Sequence, residues 1–72
     1  MKSVIVARLS QMCGSIGCVY RDGESNFLAT TSLDPDEAEA ALSEFSEWWA
    51  ANSFDGYSVQ VKDMNDKVLL AL

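Results

Sequence analysis

Residues 33–52 read LDPDEAEAALSEFSEWWAAN, and this stretch predicts the central helix of the fold. Asp34 can act as the N-cap, and Pro35 suits the first helical position because the first N–H groups of a helix have no intrahelical partner. Glu37 lies three residues after the cap, at the position from which a capping box reaches back. Apolar residues then recur at helical spacing and predict one stripe that faces a sheet: Ala38, Leu42, Phe45 and Trp49.

Alternating or continuous apolar runs on both sides of this helix predict strands. The predicted strands are Val4–Leu9, Ile16–Tyr20, Phe27–Thr31, Tyr57–Lys62 and Lys67–Leu72. Asp22-Gly23 between the second and third runs is a strong signal for a two-residue hairpin, and residues 64–66 predict a later turn. The sequence therefore predicts one α+β domain over residues 1–72. Its order is βββαββ, with about five antiparallel strands and one helix on a face.

Charge is distributed unevenly along the chain. From Asp22 to Val61 there are nine carboxylates and no lysine or arginine, whereas the flanking segments hold all five basic residues and two acids. The formal charge of −6 is therefore −9 in the middle and +3 in the flanks. This asymmetry predicts a protein partner with a basic surface. A plainer interpretation is that the net charge only serves solubility.

The predicted helix carries the candidate partner-binding residues. Four carboxylates along this helix are related to one another by offsets of three and eight residues. At a rise of about 1.5 Å per residue, these offsets predict a row along one side of the helix. The row consists of Asp36, Glu39, Glu44 and Glu47. These side chains could stand in for backbone phosphates in a lysine- and arginine-lined groove. Trp48 borders the apolar stripe, where it either contacts the partner, as interface tryptophans often do, or packs beneath the β-hairpin.

The sequence contains no catalytic or phosphate-binding signature. Without histidine there is no Ser-His-Asp or Cys-His arrangement, and no glycine-rich phosphate loop precedes a helix. We therefore predict no catalytic, cofactor-binding or metal-binding residues and expect a protein that is not an enzyme. Five scattered basic residues cannot neutralise many phosphates, which argues against direct nucleic-acid binding. The apolar runs are only strand-length, which argues against a membrane span.

Cys13 and Cys18 are the only cysteines. Their C-x4-C spacing and the absence of histidine argue against a structural zinc site. The absence of a long apolar segment near Met1 argues against an export signal and predicts a cytoplasmic location. In that compartment both cysteines are expected to be inert thiols near a hairpin. A disulfide across the hairpin is the alternative in an oxidising environment.

The order of these segments resembles that of small phage-encoded anti-CRISPR proteins, particularly inhibitors of type I-F effector complexes. The resemblance lies in the Arg21-Asp22-Gly23 turn, the Asp34-Pro35 helix start and the final strand Lys67-Val68-Leu69. It implies binding without catalysis. Such a protein docks on a Cas subunit in the host bacterium's cytoplasm and either blocks target DNA or locks the complex.

Several alternatives remain open at this level. Other small phage takeover proteins, such as RNA polymerase inhibitors, use comparable layouts, so a regulator of host RNA polymerase or of another host enzyme is one alternative. A self-associating structural module is another, because the apolar strand Val68–Leu72 suits pairing with a second chain. The protein is accordingly expected to be a monomer or a homodimer.

Overall fold

The computed structural model describes all 72 residues, Met1–Leu72. The element order is αββαββ, with helices α1 (Lys2–Ile16) and α2 (Pro35–Asn52) and strands β1 (Cys18–Asp22), β2 (Asn26–Thr31), β3 (Ser58–Lys62) and β4 (Val68–Ala71). The predicted α+β class is confirmed. The prediction of five antiparallel strands and one helix is wrong, because the sheet has four strands of mixed direction and there are two helices.

The main correction lies at the start of the chain, where α1 replaces the strand predicted at Val4–Leu9. The buried apolar residues of α1 recur at helical spacing: Ile5, Leu9, Met12 and Ile16. Burial of this face outweighs the β-propensity of the local valines and isoleucine, because tertiary packing overrides weak propensities. Gly17 ends α1 in the left-handed conformation at φ 65°, and its N–H donates to the Cys13 carbonyl oxygen. The next strand therefore begins at Cys18 and not at Ile16.

The hairpin β1–β2 forms as predicted, but its turn is displaced. Asp22 still pairs with Phe27 in the ladder, and the Gly23 N–H donates to the Asn26 carbonyl oxygen at 3.1 Å. The bend is therefore centred on residues 24–25 rather than on Asp22-Gly23. A Cβ atom at Gly23 would lie 2.6 Å from the Asn26 carbonyl oxygen, so this close approach of the backbone requires glycine.

The sheet has the strand order β1-β2-β3-β4. The two hairpins β1–β2 and β3–β4 are antiparallel, whereas the central pair β2–β3 is parallel. A parallel pair needs a long crossover connection, and α2 supplies it. The prediction of α2 itself is confirmed, with Pro35 as its first residue and Asp34 at the N-cap. The Asp34 side chain makes no hydrogen bond to the helix, so the predicted capping contact is absent.

Both helices cover the same face of the sheet, and the core lies between these two layers. Its fourteen residues include the predicted α2 stripe and the inward-facing residues of the central strands, namely Ala38, Leu42, Phe45, Trp49, Phe27, Ala29, Val59 and Val61. Thr31 is the one buried polar residue. Its hydroxyl donates to the Ile16 carbonyl oxygen at 2.9 Å and accepts the Leu33 N–H at 3.2 Å. The burial of this group is therefore fully compensated by hydrogen bonds.

Candidate functional site

A groove lies between α2 and the edge strand β4, and it holds most of the predicted partner-binding carboxylates. Its cavity volume is about 490 Å³. It is lined by Pro35, Asp36, Glu39, Leu42, Ser43, Ser46, Glu47, Leu69 and Leu70. The leucines form an apolar floor, and the carboxylates and serines form a polar wall along α2. We call this feature the α2/β4 groove.

The floor of the α2/β4 groove depends on an irregularity in β4. Val61 pairs with Leu70 and Lys62 pairs with Val68, so Leu69 is an extra residue with no partner in the ladder. In a regular strand, Leu69 and Leu70 would point to opposite faces of the sheet. The β-bulge instead allows both side chains to line the groove, where each remains only partly buried.

The wall of the α2/β4 groove carries three carboxylates that have no cationic partner. Asp36, Glu39 and Glu47 are all exposed. The ion pairs of the protein lie elsewhere, between Lys2 and Asp22 at 3.7 Å and between Lys62 and Asp66 at 3.2 Å. The negative charge of α2 is therefore not neutralised within the chain. We refer to Asp36, Glu39 and Glu47 as the acidic strip.

Glu44 does not belong to the acidic strip, although the sequence placed it in the same row. An offset of eight residues, at about 100° per residue, rotates a side chain by about 80° around the helix axis. Glu44 is therefore turned away from the groove and toward α1, where it lines a cleft of about 130 Å³ together with Arg8 and Gln11. The structure thus brings together three of the four predicted carboxylates.

Trp48 also lies on the α1 flank of the helix, where it is half-buried. Its ring centroid is 5.6 Å from that of Phe45 and 5.0 Å from that of Phe54. The guanidinium carbon of Arg8 lies 5.4 Å from the Trp48 ring centroid, within the range of a cation–π interaction. Trp48 therefore packs against Phe45, Phe54 and the Arg8 side chain of α1, and not beneath the β-hairpin. Its contact with a partner stays a prediction.

The prediction of two free thiols is wrong, because Cys13 and Cys18 form a disulfide. The bond does not cross a hairpin but joins the last turn of α1 to the start of β1. The turn at Gly17 reverses the chain and places the two Cα atoms 4.5 Å apart, within the range that a disulfide spans. Disulfides are typical of oxidising compartments, and the cytoplasmic location stays a prediction.

Comparison with models of known protein families gives no match, and comparisons with curated proteins and with solved structures give none either. Neither helix has the length and apolar composition that a membrane span requires. No group of three or more cysteine or carboxylate side chains is placed so that it could hold a metal ion. The surface of the protein itself, and above all the α2/β4 groove, is therefore the basis for proposing a function.

Proposed function

We propose that this protein is a non-catalytic inhibitor that binds a basic surface of a nucleic-acid-handling complex, with a CRISPR–Cas effector as the preferred target. The observation that carries the proposal is the acidic strip, whose carboxylates are exposed and unpaired beside an apolar groove. A surface built to hold DNA or RNA displays lysine and arginine, and the acidic strip is complementary to such a surface. Binding would exclude the nucleic acid from the part of the surface that the protein covers.

The geometry of α2 limits how far this mimicry extends. Asp36 and Glu47 are eleven residues apart, which corresponds to about 16 Å along the helix axis. Three carboxylates over this length are a lower charge density than one phosphate per about 3.4 Å of a DNA strand. The acidic strip would therefore occupy a few basic side chains of the partner and would not copy a continuous backbone.

The two parts of the groove would contribute differently to binding. The exposed carboxylates would accelerate association at low ionic strength, and this contribution falls as salt screens the charges. Burial of the partly exposed Leu69 and Leu70 would supply a contribution that salt does not weaken. We therefore expect the affinity for the partner to fall as the salt concentration rises and then to level off at a value set by the apolar contacts.

The test is an inhibition assay with a purified type I CRISPR effector complex and its target DNA. The double variant Glu39→Lys/Glu47→Lys reverses two charges of the acidic strip at exposed positions without removing a hydrogen bond. The matched control, Glu24→Lys/Asp55→Lys, changes the net charge equally at exposed positions that do not line the groove. We expect the first variant to lose inhibition and the control to retain it.

Two outcomes of this assay would contradict the proposal. Equal inhibition by both variants would show that the acidic strip is not the contact surface. A wild-type protein that leaves DNA binding and activation of the effector unchanged would remove this effector as the target. Parallel binding measurements with purified RNA polymerase would then test the alternative in which the same strip binds a basic surface of a host enzyme.

A specific observation favours self-association as a second candidate function. The face of the sheet opposite the helices is uncovered, and it presents the exposed apolar side chains of Val19, Leu28 and Val68. Val19 is 79% exposed, although it lies in a regular strand. A dimer in solution that Val19→Asp dissociates would support this function. A strict monomer at micromolar concentration would exclude an obligate dimer.

A further inference from the structure

The strand β4 forms one edge of the sheet, and part of its backbone faces away from β3. Leu72 exchanges two hydrogen bonds with Val59, at 3.1 and 2.8 Å. The adjacent pair, Ala71 with Gln60, is therefore a pair without mutual hydrogen bonds. In such a pair the N–H and C=O of the edge residue point outward. Ala71 thus presents a free donor and a free acceptor to any chain that approaches β4.

This free edge lies directly beside the α2/β4 groove, because Leu69 and Leu70 belong to β4 and also line the groove. A segment that added to β4 as a further strand would point alternate side chains toward α2. Those side chains would meet the apolar floor and the acidic strip. The backbone edge, the floor and the charged wall therefore form one continuous surface.

We propose that the α2/β4 groove binds a single extended segment of the partner protein, which pairs with β4 as a fifth strand. On its face toward α2, the segment would place an apolar side chain on the partly exposed Leu69 and Leu70 and lysine or arginine side chains beside the acidic strip. This inference rests on the proposed function, because it specifies which part of a basic partner is bound. It adds main-chain pairing at Ala71, which electrostatic mimicry alone does not require.

Charge complementarity selects this occupant over the others. Three unpaired carboxylates repel an acidic segment, whereas they favour a segment that carries lysine or arginine. The β4 strand of a second copy would bring only Lys67 next to an uncharged strand, Val68–Leu72, and would also bring a second acidic strip. A foreign segment that carries both apolar and basic residues on one face of the strand matches the groove better than a copy of this chain does.

The experiment uses a fluorescently labelled peptide that repeats lysine, threonine, valine and threonine, so that lysine and valine alternate along one face of the strand. We call it the lysine–valine peptide, and its threonine and valine residues favour the extended conformation. The glutamate–valine peptide has glutamate in place of each lysine, so it keeps the apolar residues and reverses the charge. The lysine–serine peptide has serine in place of each valine, so it keeps the charge and removes the apolar residues. Binding to the full chain is measured by fluorescence anisotropy at low and high salt. We expect the lysine–valine peptide to bind at least about tenfold more tightly than either control.

The variant Ala71→Pro tests the main-chain pairing. Proline removes the outward N–H of Ala71 without breaking a bond to β3, and such positions on edge strands tolerate proline. We expect about tenfold weaker peptide binding. Ala71→Ser keeps the N–H and is expected to bind like the wild type. Urea unfolding of each variant shows whether the fold is retained. A further variant, Leu69→Ser, weakens the apolar floor of the groove at a partly exposed position.

Amide hydrogen exchange of the wild-type protein gives a readout that does not depend on any variant. The Ala71 amide is expected to exchange rapidly in the free protein and to be protected when the lysine–valine peptide binds. An absence of peptide binding, or equal binding of the glutamate–valine peptide, would overturn the inference. The inference would also be overturned if folded Ala71→Pro bound the peptide as tightly as the wild type and the peptide did not protect the Ala71 amide of the wild type.

The effector assay separates this inference from the proposed function. If Ala71→Pro inhibits the effector like the wild type while Glu39→Lys/Glu47→Lys does not, inhibition depends on the acidic strip and strand addition is excluded. If neither variant changes inhibition, both the strip and the edge are excluded as contact sites. Loss of inhibition in both variants would support the acidic strip as the contact surface and strand addition at β4.

Discussion

The two flanks of α2 differ in how they are covered. On one flank, Phe45 and Trp48 pack against other aromatic rings and against α1, and Arg8 lies over the indole. On the other flank, only Leu69 and Leu70 of β4 approach the helix, and the α2/β4 groove stays open. The two sides of one helix therefore differ in what they contribute. Its α1 flank stabilises the fold, and its β4 flank leaves apolar and charged groups exposed.

The difference follows from the residues that each flank carries. Four aromatic side chains, Phe45, Trp48, Trp49 and Phe54, form a cluster with ring centroids 5.0 to 6.0 Å apart. Such pairs contribute about 0.5–1.5 kcal/mol each beyond the burial of their surface. The β4 flank has no aromatic residue, and its exposed carboxylates repel one another. Substitutions on the two flanks should therefore change the free energy of unfolding by different amounts.

The largest change in the free energy of unfolding is expected for Phe45→Ala, on the α1 flank of α2. Phe45 is 1% exposed, and truncation of a buried phenylalanine leaves a cavity that lowers the free energy of unfolding by about 3–5 kcal/mol. Leu69→Ser on the open flank removes a partly exposed side chain and should lower it by about 1 kcal/mol. Urea unfolding followed by circular dichroism measures both. Similar losses for the two variants would refute the assignment of stability to one flank.

The disulfide should have the next largest effect, because it fixes the last turn of α1, the helix that covers the α1 flank of α2. Cross-linking residues five positions apart removes chain entropy from the unfolded state worth about 2 kcal/mol. Cys13→Ala/Cys18→Ala should therefore lower the melting temperature by roughly 8–16 °C for a domain of this size. The wild type in the presence of a reductant should melt at a similarly reduced temperature. A melting temperature that is insensitive to reductant would contradict this expectation.

A smaller effect is expected for the contact between Arg8 and Trp48. Arg8→Met keeps an apolar stem over the indole and removes the charge, so it should lower the free energy of unfolding by about 0.5–1 kcal/mol. Arg21→Met is the matched control, because Arg21 is exposed and lies on the uncovered face of the sheet. The control should change stability by less than about 0.5 kcal/mol. Equal effects of the two variants would exclude a specific contribution from the indole.

The smallest effect, and one of opposite sign, is expected on the open flank. Glu44 and Glu47 are three residues apart on α2, and like charges at this spacing destabilise a helix by about 0.2–0.5 kcal/mol. Glu47→Gln should therefore raise the free energy of unfolding by a similar amount at low salt, and the gain should shrink at high salt. Glu24→Gln, in the β1–β2 turn, should give no such gain. Destabilisation by Glu47→Gln would show that this carboxylate has a stabilising role in the fold.

The parts of the fold that local signals determine could be predicted from the sequence. The start of α2 at Pro35 and its buried stripe are encoded within a few residues, and both are confirmed. The segment Val4–Leu9 could not be assigned correctly, because its alternation also fits a strand. Only its packing against α2 and β1 selects the helical spacing of Ile5 and Leu9.

The candidate site could be predicted only in part for the same reason. Asp36, Glu39 and Glu47 follow from the helix period, whereas Leu69 and Leu70 depend on a bulge that arises from the register of β4 with β3. The disulfide likewise depends on the left-handed turn at Gly17, which follows once residues 2–16 are helical. The sequence contained no signal for the floor, because two consecutive leucines in a regular strand point to opposite faces and only the register of β4 with β3 reveals the bulge.

The parallel pairing of β2 with β3 determines the order in which the protein can fold. Each hairpin joins residues close in sequence and can form within about 1–10 μs, whereas Asn26 and Ser58 are 32 positions apart. Their pairing must wait until α2 spans the sheet, and such non-local contacts slow folding. During synthesis, β2 is therefore an unpaired edge carrying Phe27 and Ala29 until β3 has left the ribosome. For that interval the unpaired edge can pair with other chains, so rapid completion of β3 limits aggregation.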